Sequence, residues 1–232
     1  MMKPFRFQKF TIQQSPLVFR VGTDGVLLGA LCEVSAANRI LEVGTGTGLI
    51  ALMCAQRRET AYVSALDIDE AAAALASLNF SASPFSSRME VWCGDFRAYY
   101  PQDRFDLVVC NPPYFEANPS VKDRIARQRV MLDFEDLVRG AVRVLSAEGL
   151  LSVIIPSSMA EGFVSAALRE GFFLIRKVNI YGNDSSEIRR VVLEFSFVSK
   201  ACEELDLIIE KGPRVYSDQY LELTRDFHVF GK

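Results

Sequence analysis

The stretch that most restricts what this chain can become is Glu42-Val43-Gly44-Thr45-Gly46-Thr47-Gly48, set between the apolar runs Arg39-Ile40-Leu41 and Leu49-Ile50-Ala51-Leu52-Met53. An apolar run, three glycines at alternate positions and a second apolar run predict a strand, a tight turn and a helix. Alternate glycines free the backbone to take positive φ and let a ligand lie against the main chain. Glu42 falls at the carboxyl end of the expected strand, where open α/β sheets bind their ligands. A dinucleotide fingerprint needs a third glycine at position 49, which is Leu49, and no Lys follows the glycines to make a phosphate-cradling loop. A glycine turn carrying an acid suits a ligand with a cationic amino-acid end and a ribose better than one with a pyrophosphate. Taken alone, these seven residues also fit a structural turn in some other α/β protein.

The strand-then-acid pattern recurs. The run from Ala61 ends in Asp67, the run from Met89 ends in Asp95, and Phe105 to Cys110 leads into Asn111, with helices expected through Gln56 and over Glu70 to Asn79. Parallel strands with polar side chains at their carboxyl ends make one shared cleft. Asp67 stands nineteen residues past Gly48, about where a nucleotide-binding α/β fold places its ribose carboxylate. Its alternative role is a helix N-cap, which Asp69 fills equally well. Asn111-Pro112-Pro113-Tyr114 is the most specific feature after the glycines. Two prolines stiffen the backbone and remove two amide donors, which leaves carbonyl acceptors beside the Asn111 amide oxygen. Such a group can hold both hydrogens of a planar amine while Tyr114 offers its ring a flat surface.

Upstream, Thr23 or Asp24 is expected to cap a buried apolar helix close to the glycine turn. Downstream, the pattern predicts a helix over Phe134 to Leu145, a buried strand at Leu150 to Ile155 and a helix from Ser158 to Glu170. An antiparallel pair, Phe172 to Tyr181 and Arg189 to Val198, should follow, then a strand at Leu205 to Glu210 and a short helix over Ser217 to Arg225. Half of the 232 residues are hydrophobic, enough for one sizeable core. A single domain is therefore expected, divided into an arm and capping helix (1–34), a core (35–198) and an extension (199–232). The start carries charge without a continuous apolar run, and no stretch approaches the roughly 18 apolar residues of a membrane span. Five scattered cysteines without a Cys-x-x-Cys pair suggest free buried thiols in a reducing cytoplasm, and a lone His228 leaves little for a zinc site.

The net charge of −3 conceals segregation. Residues 1–23 hold Lys3, Arg6, Lys9 and Arg20 with no acid, residues 119–130 hold Lys122, Arg124, Arg127 and Arg129 against Asp123, and the balancing acids lie largely in the tail. Arg6, Lys9, Lys122, Arg124, Arg127 and Arg129 are the candidate contacts for a nucleic-acid backbone. The interleaved Phe5, Phe7, Phe10 and Phe19 suit stacking on bases, and equally suit packing of the arm onto the core.

Glu42 to Gly48, Asp67, Asp95 and Asn111 to Tyr114 together resemble the successive motifs of class I S-adenosylmethionine-dependent methyltransferases that modify planar amines. Phe5 to Ile12, Val21 to Ala30 and the closing Tyr216-Ser217 with Leu223 to Phe227 narrow the resemblance to bacterial tRNA adenine-N6 methyltransferases acting on adenine 37 of valine tRNA. It spans nearly the whole chain. It departs at His228, where Tyr is expected, and over residues 13–19. The resemblance implies a Rossmann-like α/β fold: a mostly parallel seven-stranded sheet with a C-terminal antiparallel hairpin strand and helices on both faces. It implies S-adenosyl-L-methionine as cofactor and the anticodon loop of tRNA as partner. Glu42, Gly44, Thr45, Gly46 and Gly48 would surround the methionine part, Thr23 would close over it, and Asp67 and Ile68 would take the ribose and adenine. Asp95 would accept from the cofactor's amine with Phe96 beside it, and Asn111, Pro112, Pro113 and Tyr114 would act on the target base. Glutamine side chains of release factors, DNA adenine, a nicotinamide enzyme and a non-catalytic cofactor-binding module are the competing readings.

Overall fold

The computed structural model describes residues 2–112 and 132–229. Pro113, Tyr114, Lys122, Arg124, Arg127 and Arg129 lie outside the described residues. A small hairpin of β1 (Phe5–Arg6) and β2 (Thr11–Ile12) opens the chain. Helix α1 (Thr23–Leu31) precedes the alternating units β3 (Arg39–Val43), α2 (Leu49–Arg57), β4 (Tyr62–Asp67), α3 (Glu70–Ser81), β5 (Met89–Cys93) and β6 (Phe105–Cys110). Beyond position 131 come α4 (Phe134–Val144), β7 (Leu145–Pro156), α5 (Ala160–Arg169), β8 (Phe173–Asn183) and β9 (Ile188–Ser196). The chain ends with β10 (Glu203–Gly212), β11 (Val215–Tyr216) and α6 (Asp218–Leu223).

Strands β3 to β11 form a nine-stranded sheet in the order β11-β10-β8-β9-β7-β6-β3-β4-β5. The expected seven strands are β3 to β9, parallel except for β9, which runs antiparallel between β7 and β8. Two further strands extend the β8 edge: β10 pairs with β8 in parallel and β11 turns back on β10. The sequence shows the central strands as continuous apolar runs because both faces of the sheet are covered. Alternate residues feed two cores. Ile40, Leu107, Val109 and Ile154 pack under α1, α2 and α3, while Leu41, Val43, Val108, Val153 and Ile155 pack under α4 and α5.

Two expectations need correction. Neither Thr23 nor Asp24 caps α1; its N-cap is Gly22, with no side-chain bond, and the Asp24 carboxylate instead accepts from Arg190 Nε at 3.0 Å. Of the five free cysteines, Cys32, Cys54 and Cys110 are buried, but Cys93 and Cys202 are exposed. The arm packs onto the core: Phe7 and Phe10 are buried, and the Phe7 ring lies between those of Phe10 (4.7 Å) and His228 (5.7 Å). Gln8 Nε2 donates to the His228 carbonyl at 2.9 Å, and Gln56 Nε2 donates to that of Asp226 at 2.7 Å, so both ends of the chain meet beside α2. The tail acids are largely engaged within the protein, Glu204 with Lys177 (2.8 Å) and Glu203 with Arg176 (3.5 Å). Among the described residues, no helix is long and apolar enough to cross a membrane.

Candidate active site

The carboxyl ends of β3, β4, β5 and β6 and the amino end of α1 border one cavity of about 870 Å³. Gly44, Gly46 and Gly48 all take positive φ, at 72°, 56° and 81°. The turn is held from β4: Gly44 N–H donates to the Leu66 carbonyl at 2.8 Å, and Gly46 N–H donates to Asp67 Oδ2 at 2.8 Å. At Gly44 a Cβ would meet no protein atom within 4 Å, so the backbone there faces open space. Gly48 does not line the cavity. A Cβ there would stand 2.5 Å from Phe80 Cε1, so its requirement for glycine comes from positive φ and from the α3 ring against the turn.

Glu42 is only 1% exposed, and its Oε2 accepts from Thr45 Oγ1 and from Ala51 N–H at 3.0 Å. Burial raises its carboxyl from the ordinary 4.5 to about 8, against the lowering effect of those two bonds. Among the described residues no cation pairs with this acid. Asp67 is also raised, chiefly by burial, while its bonds from Gly46 and Asp69 N–H pull the other way. The helix cap is Asp69, which accepts from Ala71 and Ala72 N–H, so Asp67 has no capping duty. Each Asp67 oxygen accepts one backbone bond and retains a further lone pair for a hydroxyl. Ile68, next to it, leaves 45% of its surface open at the cavity wall.

Asp95 lines the cavity in a partnership the sequence reading missed. Arg97 grips its carboxylate with Nε at 2.9 Å and Nη2 at 2.6 Å, and its backbone N–H adds a third donor. The side-chain bond from Arg97 holds the Asp95 carboxyl below its usual range. The Asp-x-Arg spacing was the available signal. Phe96 borders the cavity, but its ring is buried against Gly140 of α4.

Asn111 and Pro112 lie at the end of β6 on the same cavity, and the Asn111 side chain has no hydrogen-bond partner among the described residues. Thr23 borders it too. Arg6 and Lys9 are exposed but do not line the cavity. In their place the structure brings up residues 17–22, a strap that sequence reasoning did not assign to the site. Gln14 Oε1 accepts from Val21 N–H at 3.2 Å, and Asn79 joins Gln13 N–H (2.8 Å) to the Thr47 carbonyl (2.8 Å), so the strap is tied to the glycine turn. Val18 turns inward against Gly46, whereas Leu17 and Phe19 remain 77% and 82% exposed.

A family model described as "Methyltransferase small domain" matches residues 19–179. The chain belongs to that family. Its match covers residues 19–22 of the strap, the glycine turn, all three strand-end acids and Asn111. Among relatives of this methyltransferase, a protein of Flavobacteriaceae bacterium (strain 3519-10) is 50% identical over 99% of this chain and 100% of its own length. A protein of Vibrio campbellii is 35% identical over 98% and 96%. Both are named tRNA1(Val) (adenine(37)-N6)-methyltransferase. Among solved structures, a predicted O-methyltransferase from Agrobacterium tumefaciens superposes with a TM-score of 0.71 at 22% identity, over 88% of this chain and 96% of that one. A glycopeptide N-methyltransferase complexed with S-adenosylmethionine gives 0.58 at 16%, over 78% and 90%, and both likenesses concern the fold.

Proposed function

We infer that this methyltransferase moves a methyl group from S-adenosyl-L-methionine to the exocyclic N6 of adenine 37 in the anticodon loop of valine tRNA. The residues of the first cavity fit that cofactor. Glu42, buried and without a cation among the described residues, suits its ammonium group, Gly44 leaves room for its methionine part, Asp67 has lone pairs for ribose hydroxyls and Ile68 offers an apolar face to its adenine. Asp95, held ionised by Arg97, is the acceptor for an adenine amine. When bound, S-adenosylmethionine supplies a methyl group already activated on a sulfonium sulfur.

The chain itself has to align an amine and exclude water. The adenine amine is a poor nucleophile because its lone pair is delocalised into the ring. If the Asn111 side-chain oxygen and the Pro112 carbonyl accept its two N–H groups, the nitrogen becomes more tetrahedral and the positive charge developing on it is stabilised. Asn111, a side-chain amide without a hydrogen-bond partner among the described residues on the cavity that holds Glu42, Asp67 and Asp95, is the observation that carries this reading. Pro113 and Tyr114 continue the segment, with Tyr114 taken as the stacking surface for the base. The target must leave its stack to enter, which costs less in a loop of unpaired bases than in a duplex. Full-length relatives named for this reaction support the same choice of substrate. Supplying labelled S-adenosylmethionine with unmodified valine tRNA tests it, and label on any other nucleotide or on protein would refute it. Asn111→Ala should lower kcat by about 10²–10³ with cofactor affinity nearly unchanged.

A further inference from the structure

A second cavity, of about 1060 Å³, opens on the same edge of the sheet. Thr23 and Asp24 line both cavities, so the amino end of α1 is the wall between them. The floor is the end of β7, and the far side is built from the β8–β9 turn, the end of β10 and Tyr216 of β11. The two strands beyond the seven-stranded core therefore complete this cavity. We propose that it is an RNA subsite holding a nucleotide next to the methylated adenine; the proposal rests on the tRNA reading above.

Position is the first reason. An adenine drawn out of its stack to reach Asn111 keeps its neighbours one backbone link away, and the space beyond the Thr23–Asp24 wall is adjacent to the cofactor cavity. Chemistry is the second. Arg189 and Arg190 begin β9 with different duties: Arg190 is held by Asp24 at 3.0 Å, whereas Arg189 is exposed and makes no ion pair among the described residues. A guanidinium in that state is a planar fork for a phosphate. Tyr216 leaves 41% of its surface open while its ring is steadied by stacking on Tyr220 at 4.7 Å, a rigid surface for a base. Glu210 brings an acid and Asn183 an amide to the same walls. The Arg189 guanidinium, unpaired among the described residues, with the Glu210 acid, the Asn183 amide and the Tyr216 ring, matches a nucleotide, with its phosphate, base edge and π-face, better than a bare anion or an apolar ligand.

The test uses the full chain and unmodified valine tRNA. Arg189 is exposed, so Arg189→Glu should fold normally. It should raise KM for tRNA about tenfold or more, reduce the slope of log(kcat/KM) against log salt by about one, and leave the cofactor Kd within about twofold. Tyr216→Ala should raise KM while keeping the slope, because it removes a stacking surface and no charge. A transcript carrying photoreactive 5-bromouridine beside adenine 37 should crosslink to the β8–β9 turn or to Tyr216. Unchanged KM in both variants, or crosslinks confined to residues 15–23, would overturn the subsite while the reaction assignment stands. Failure of the wild-type chain to methylate adenine 37 would remove the reaction, and the subsite with it.

Discussion

At the scale of single residues, Glu42 gives the sharpest consequence. Its carboxyl sits near 8 when folded and near 4.5 when unfolded, so between those values the folded chain holds a proton that the unfolded chain has released. The stabilisation this provides is complete below about 4.5 and is lost as pH rises through about 8; Asp67, raised as well, has the same sign. The melting temperature of the cofactor-free protein should therefore fall between pH 5 and 8, and Glu42→Gln should flatten that slope while its amide oxygen still accepts from Thr45 and Ala51. A cationic ligand favours the ionised form, so cofactor affinity should rise from pH 6 to 8 with release of a proton, measurable by calorimetry in buffers of different ionisation enthalpy. An affinity independent of pH would remove Glu42 from the ammonium site. Glu42 and its position at a strand end were legible in the sequence, but its displaced pKa was not, because burial depends on what α2 and the glycine turn place over it.

At the scale of elements, the β3–α2 turn is governed by its neighbours. Three glycines announced a tight turn, yet they serve different ends: Gly44 leaves space in the cavity, whereas Gly48 makes way for the Phe80 ring of α3. Gly48→Ala places a side chain at φ 81° and within 2.5 Å of that ring. Denaturant titration should show a loss of about 2 kcal/mol or more. Phe80→Leu should recover part of it in a double-mutant cycle, and strict additivity would mean that the ring is not the cause. The strap teaches a related lesson. Residues 13–19 carry no motif, and the Asn79 bridge, the Gln14–Val21 bond and the inward turn of Val18 bring the strap over the first cavity.

At the scale of the molecule, α1 is braced at both ends by the sheet. Asp24 meets Arg190 at the cavity end; at the other, Arg176 donates to the Leu31 carbonyl at 2.9 Å and to Glu194 at 3.1 Å, while Glu194 accepts from Glu33 N–H at 2.8 Å. Glu194 is 1% exposed, so Glu194→Ala removes the buried member of the group around Arg176, which keeps the exposed Glu203 and the Leu31 carbonyl, and leaves the Glu33 N–H without its acceptor. The expected loss is about 1–3 kcal/mol in urea unfolding. If α1 loosens with it, cofactor affinity should fall too, since Thr23 borders that cavity.

The sequence by itself determined the parallel order of strand and helix, the glycine turn, the acids at successive strand ends and the Asn111 segment. Each is written in local periodicity or in residues whose backbone preferences are strong. Tertiary structure alone decided that Asp69 and not Asp67 caps α3, that Arg97 holds Asp95 and that Arg6 and Lys9 stand away from the first cavity. It also decided that β10 lies parallel to β8 and, with β11, encloses a second cavity. Those outcomes join residues far apart in the chain or choose among local partners of equal propensity, and only packing makes that choice.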